Sequence, residues 1–100
     1  MLNKAERLIG LATRAGKVIT GLELCEKAVK SNKAKLIILT KETSDNSKKM
    51  FIDSGIDIVY LESRDVLGKC TGKETRSVAV ITDKNFSSAV LKAYNDKEVW

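Results

Sequence analysis

The sequence predicts an α/β protein, a three-layer α/β/α sandwich around a small mixed sheet of about four strands. Segments with apolar residues at helical spacing alternate with short runs rich in β-branched residues. One such run, AKLIILT at 34–40, is apolar almost without a break, the pattern of a strand covered on both faces. The chain also holds no proline, and no repeat or linker-like stretch interrupts the alternation. Residues 1–100 therefore read as a single domain.

Each element has its own signal. Leu2, Ala5, Leu8, Ile9 and Ala12 fall at helical spacing behind Asn3, a capping residue. A short extended piece, KVIT, follows Gly16. The second helix is expected to start near Gly21, with Leu22, Cys25 and Val29 on its inner face. After AKLIILT, either Thr43 or Ser44 caps a third helix that turns Ser47, Met50, Phe51 and Ser54 inward and ends by Gly55. DIVYL is the next strand. Ser63 caps a short helix through Val66 and Leu67, its length limited by Gly68. SVAVIT is the last strand, and Asp83 caps a closing helix whose inner stripe is Phe86, Ala89, Val90, Ala93 and Tyr94.

Composition narrows the function. Eighteen Lys and Arg against thirteen Asp and Glu give a net charge of +5, which suits a polyanionic partner. The opening MLNKAERLIG is charged, unlike the apolar core of a secretion signal, and no apolar stretch approaches the ~20 residues that span a bilayer. A cytoplasmic protein with no membrane partner is the expectation. With two cysteines and no histidine, the usual structural zinc sites lack ligands, and Cys25 and Cys70 read as buried apolar side chains. Without histidine the commonest general base is missing too. No glycine-rich nucleotide loop or serine elbow appears, and the aspartates are scattered at cap and turn positions. No enzyme activity, cofactor or metal is expected.

Two stretches concentrate glycine and basic charge. LIGLATRAGKVITG holds Gly10, Gly16 and Gly21, three of the six glycines, and leads into the second helix. A helix N-terminus offers unpaired N–H groups and a positive dipole end to a phosphate. Glu23, Lys27 and Lys30 project away from the inner stripe with Leu24 beside them. The second stretch, LGKCTGKETRSVAV, carries Lys69, Lys73 and Arg76, with Glu74 and Thr75 adding hydrogen-bonding groups in the loop after Gly72. Each taken alone also reads as an ordinary solvated face or a polar connector.

Together, LIGLATRAGKVITG (8–21), AKLIILTKETSDNSKK (34–49), ESRDVLGKCTGKE (62–74) and VAVITD (78–83) make the chain resemble the kink-turn RNA-binding ribosomal protein superfamily of the L-seven-Ae type. The likeness is greatest to its small bacterial YlxQ-like branch, and it covers nearly the whole chain in one register. The resemblance implies an α/β/α sandwich that binds RNA without catalysis. A regular RNA duplex hides its base edges in a deep, narrow groove, and a kink-turn exposes them. In that family the helix after the glycine enters the kink, an Asn-Glu pair reads guanines, and a lysine three residues on supports them.

Carried onto this sequence, Gly21 matches the helix-start glycine and Lys27 the supporting lysine, while Glu23 and Leu24 stand where the family has Asn and Glu. Leucine cannot hydrogen-bond a guanine edge, a contact worth roughly 1–3 kcal/mol when bidentate. Lys73, Glu74, Thr75, Arg76 and Ser77 match the family's RNA-contacting loop, and are more polar than its usual residues. Ser44 and Lys48 fall near a third contact region. With only 5% aromatic residues, stacking on a ring platform is not the expected mode.

The sequence therefore predicts a monomeric RNA-binding protein, with Lys30 as a further phosphate contact and ribosomal RNA or the ribosome as partner. The alternative is a protein–protein interaction module on the same fold, which an exposed Leu24 would favour.

Overall fold

The computed structural model describes residues 3–73 and 75–96. Leu2 and Glu74, both invoked above, lie outside them. Helix and strand alternate along the described chain: α1 Lys4–Arg14, β1 Val18–Thr20, α2 Leu22–Lys30, β2 Leu36–Thr40, α3 Asp45–Ile52, β3 Ile58–Leu61, α4 Arg64–Thr71, β4 Val78–Ile81 and α5 Lys84–Asn95. The four strands form one sheet in the order β1-β4-β2-β3. β4 runs antiparallel to both β1 and β2, whereas β2 and β3 are parallel. The mixed α/β architecture is the one that the alternating pattern predicted.

The period-two side-chain alternation of a strand divides the interior in two. Leu36 and Ile38 of β2 point to one face, with Val59 and Leu61 of β3 and Ala79 and Ile81 of β4. Ala5 and Ile9 of α1, Leu67 and Cys70 of α4 and Val90 of α5 cover that side. Ile37 and Leu39 of β2 face the other way with Val78 and Val80 of β4, covered by Cys25 and Ala28 of α2 and Phe51 of α3. All five residues of β2 are buried, as a strand packed on both faces must be.

Four helices are closed by the expected caps. Asn3 accepts from the Glu6 N–H while the Glu6 side chain accepts from the Asn3 N–H, a reciprocal pair. Ser44, Ser63 and Asp83 accept from the backbone of Ser47, Val66 and Phe86. Two expectations need correction. Leu22 is 40% exposed and does not share the inner stripe; it is the first residue of α2, ahead of the part of the helix that is buried. Cys25 is buried as expected, Val29 packs partly buried against the same cluster, and Ala28 is buried beside them. Nor does Gly68 limit α4, which continues to Thr71 and closes at Gly72 in the left-handed conformation. A mid-helix glycine costs about 1 kcal/mol, less than is gained by burying Cys70 and Thr71 in the next turn.

One buried group is at odds with its surroundings. The Ser87 hydroxyl, on α5, has no hydrogen-bond partner and the residue is only 6% exposed. Ser87→Ala is expected to stabilise the fold by roughly 1 kcal/mol, since it removes a desolvated and unpaired polar group. Thermal unfolding should show this as a rise in Tm of about 4–8 °C.

Strand direction places the site. β1, β2 and β3 all run opposite to β4, so their C-terminal ends and the start of β4 share one edge of the sheet. Helices α2, α3 and α4 all begin at that edge.

Candidate nucleic-acid interface

Gly21 stands at this edge as the N-cap of α2. Its backbone has φ +96° and ψ 141°, a conformation that suits glycine and strains any residue with a Cβ. A Cβ built there would meet no atom within 4 Å, so backbone conformation rather than space demands the glycine. Its N–H donates to the Val78 carbonyl at 3.3 Å and its carbonyl accepts from the Cys25 N–H at 2.9 Å. Unlike the other four helices, α2 has no side-chain cap. The N–H groups of its first turn, on Leu22, Glu23 and Leu24, thus face the edge without an intrahelical acceptor. The neighbouring N-termini are closed: Ser44 caps α3, and α4 is covered by Ser63 together with Glu42, whose carboxylate accepts from the Arg64 N–H at 2.7 Å.

The bond from Gly21 to Val78 puts the start of α2 against the end of the 72–77 loop. Thr43 fastens that loop from the other side. Its hydroxyl donates to the Ser77 carbonyl at 2.8 Å and accepts from the Thr40 N–H at 3.1 Å, with the Thr40 hydroxyl 3.2 Å away. Thr43 is buried, so this link is shielded from competing water. Sequence reasoning weighed Thr43 only as a cap. Its partner lies 34 residues away, and no local pattern announces such a bond.

The candidate residues are therefore brought together unequally. Glu23, Leu24 and Lys27 are exposed on α2, with Leu24 59% exposed. Leu24 and Lys27, with Ile19 and Lys33, line a shallow hollow of about 370 Å³ against β1. Lys33 was not anticipated, because it lies beyond the end of α2 and outside its helical wheel. Lys30 sits in the last turn, roughly 13 Å along the axis from Gly21 at 1.5 Å per residue. Lys73 and Thr75 are exposed and Arg76 and Ser77 half-buried. The Arg76 guanidinium donates to its neighbour's carbonyl, Thr75, at 2.6 Å, and its N–H reaches the Arg64 carbonyl at 3.4 Å. Lys48 on α3 holds its ammonium 5.9 Å from the centre of the Tyr60 ring. At the same edge an exposed ion pair joins Lys41 and Glu62 at 2.8 Å.

The two thiols take no part in this edge chemistry. Burial pushes the Cys25 pKa up to about 12, against a lesser downward pull from a hydrogen bond with the Val80 backbone. Burial, with the charge of Glu6, raises that of Cys70 to about 11. Both thiols stay protonated in the folded chain at a pH where the unfolded chain, with pKa values near 9, gives up its protons. Their contribution to stability is complete below pH 9 and lost as the pH rises towards 11 and 12. The urea midpoint is expected to fall across that window, and less steeply in a Cys25→Ala, Cys70→Ala double variant. Among the described residues no three Cys, Asp or Glu side chains gather as a metal site, and no helix is long and apolar enough to cross a membrane.

Known proteins resemble this chain in sequence and fold. The profile described as the ribosomal protein L7Ae/L30e/S12e/Gadd45 family matches residues 3–92. A protein named RNA-binding protein YlxQ from Bacillus subtilis (strain 168) is 39% identical over 88 residues, covering 84% of this chain and 88% of its own. Its namesake from Enterococcus faecium is 38% identical, covering 84% of each. A solved protein of unknown function from Bacillus halodurans superposes with a TM-score of 0.89 at 31% identity, over 94% of this chain and 99% of its own. A Giardia lamblia 15.5kD RNA binding protein superposes at 0.73 over 94% of this chain and 84% of its own; at 20% identity, that likeness speaks to the fold alone.

Proposed function

The chain belongs to the ribosomal protein L7Ae/L30e/S12e/Gadd45 family, and from that premise we propose that it is a cytoplasmic, non-catalytic protein that binds structured, kink-turn-like RNA, with ribosomal RNA as its target. The observation that carries the reading is the open N-terminus of α2 at Gly21, set beside a basic loop held in place by Thr43. Such a site has unpaired N–H groups, a positive helix end and nearby cations, the parts a phosphate backbone requires. The relatives named as RNA-binding proteins support the same reading.

Within it, the backbone at Gly21 lets RNA come close, and Lys27, Lys73 and Arg76 hold phosphates. Glu23 accepts from a guanine amino group. Leu24 packs against a sugar or base face at the position where the family resemblance implies a guanine-reading residue, so base discrimination is weaker and phosphate attraction relatively stronger. Lys30 lies too far along α2 to share the entry point and meets phosphate one turn further on.

The test is a titration of the protein with a kink-turn RNA and a matched uninterrupted duplex at several salt concentrations. Tighter binding to the kink-turn, weakening steeply with salt, is the expected result. Equal, weak binding to both RNAs would remove the shape-specific part of the proposal. Binding that ignores salt would remove phosphate contact as its basis.

A further inference from the structure

A second surface lies away from Gly21, between α1 and the end of α4. A cleft of about 670 Å³ opens there, and α1 lines it with Arg7, Gly10, Leu11 and Arg14. These residues stand at i, i+3, i+4 and i+7, a single stripe distinct from the buried stripe of Ala5, Ile9 and Ala12. From α4 come Lys69 and Cys70. The two helices approach closely enough that a Cβ on Gly10 would lie 3.4 Å from the Cys70 carbonyl.

The cleft has an apolar floor and a cationic rim. Leu11 is 47% exposed, one of few large apolar side chains so displayed. Thr13 and Thr71 also line it, but each hydroxyl donates to a carbonyl of its own helix, those of Ile9 and Leu67, both at 2.9 Å. The Cys70 thiol is buried. Arg7, Arg14 and Lys69 are exposed, and among the described residues no acidic side chain lines the cleft. Arg14 and Lys69 also complement the negative ends of their helices. That role explains neither Arg7, which is mid-helix, nor the exposure of Leu11.

We propose that this cleft docks an acidic amphipathic segment of a partner protein, its apolar side chains on Leu11 and its carboxylates on Arg7, Arg14 and Lys69. Charge complementarity selects an acidic occupant. The floor selects protein over RNA: among the described residues it offers no aromatic ring for stacking, and its hydroxyls already donate within their own helices. An apolar anchor ringed by opposite charges is the ordinary form of helix-in-groove recognition. Gly72, at the end of α4, also lines the cleft, so the occupant would sit where the 72–77 loop begins while that loop's far end rests by Gly21.

The probe is a synthetic peptide of alternating Glu-Glu and Leu-Leu pairs, with a control in which Gly-Gly replaces each Leu-Leu. Each is titrated into the isotope-labelled full chain and followed by amide chemical shifts. Shift changes gathered on Arg7, Leu11, Arg14 and Lys69, absent with the control, are expected. Leu11→Glu and Arg14→Glu, both at exposed positions, should each weaken the response about tenfold. Equal shifts from the glycine control would reduce the effect to charge alone and overturn the proposal. So would shifts confined to α2 and the 72–77 loop, no shifts at all, or a duplex RNA perturbing the cleft as strongly as the peptide.

Discussion

Phe51→Ala is expected to lower stability by about 3–5 kcal/mol, the usual range for emptying a buried aromatic site. Phe51 is fully buried and, among the described residues, is the largest side chain so enclosed. It fills the layer between α3 and the sheet, where its neighbours include Cys25 and Ala28 of α2. Those two are too small to close over the cavity from the α2 side. With a total stability of roughly 5–15 kcal/mol for a domain of this size, the loss is a large share. Urea unfolding followed by circular dichroism should show a lower midpoint with an unchanged slope. Because α2 and α3 both lean on this residue, RNA binding should weaken at temperatures where the variant still retains most of its helix.

The second large effect is on binding and should leave the fold untouched. Lys27→Ala with Arg76→Ala removes two cations of the proposed site, one from α2 and one from the 72–77 loop. At about 1.4 kcal/mol for each charge-assisted hydrogen bond, kink-turn affinity should fall about a hundredfold. The dependence of log K on log salt should flatten by about two, one for each phosphate that no longer meets a cation. Unaltered affinity and slope would displace the site from α2 and the 72–77 loop. Thermal unfolding of the variant provides the control. Lys27 is exposed, and among the described residues the Arg76 side chain donates to its neighbour's carbonyl, a local bond.

Much of this architecture is written locally. The apolar run of β2 announces a strand with two covered faces, and Asn3, Ser44, Ser63 and Asp83 announce helix starts because a short oxygen-bearing side chain satisfies the first-turn N–H groups. Gly21 is legible as a helix start by its context, although the reason, a positive φ, emerges only in the backbone. The strand order is another matter. β4 inserts between β1 and β2, and side-chain alternation reads the same whichever strand lies alongside.

The misplacements of Leu22 and Gly68 have separate origins. Periodicity treats a helix as packed along its whole length, whereas the first turn of α2 is exposed; glycine's low helix propensity marks an end at Gly68, whereas α4 gains enough from burying its last turn to keep that glycine inside. Of the candidate site, the charged residues were legible as types. What orients them was not: the Thr43–Ser77 bond and the open end of α2 arise where distant segments meet at the sheet edge.

The exposure of Glu23 and Leu24 has a consequence for descent. Neither side chain belongs to either buried cluster, and the cap that starts their helix is supplied by the backbone of Gly21. A lineage can therefore exchange both residues while the scaffold stays as it is. Ligand preference and thermodynamic robustness become separately inherited traits, and a chain of this kind can drift from one RNA to another through intermediates that all fold.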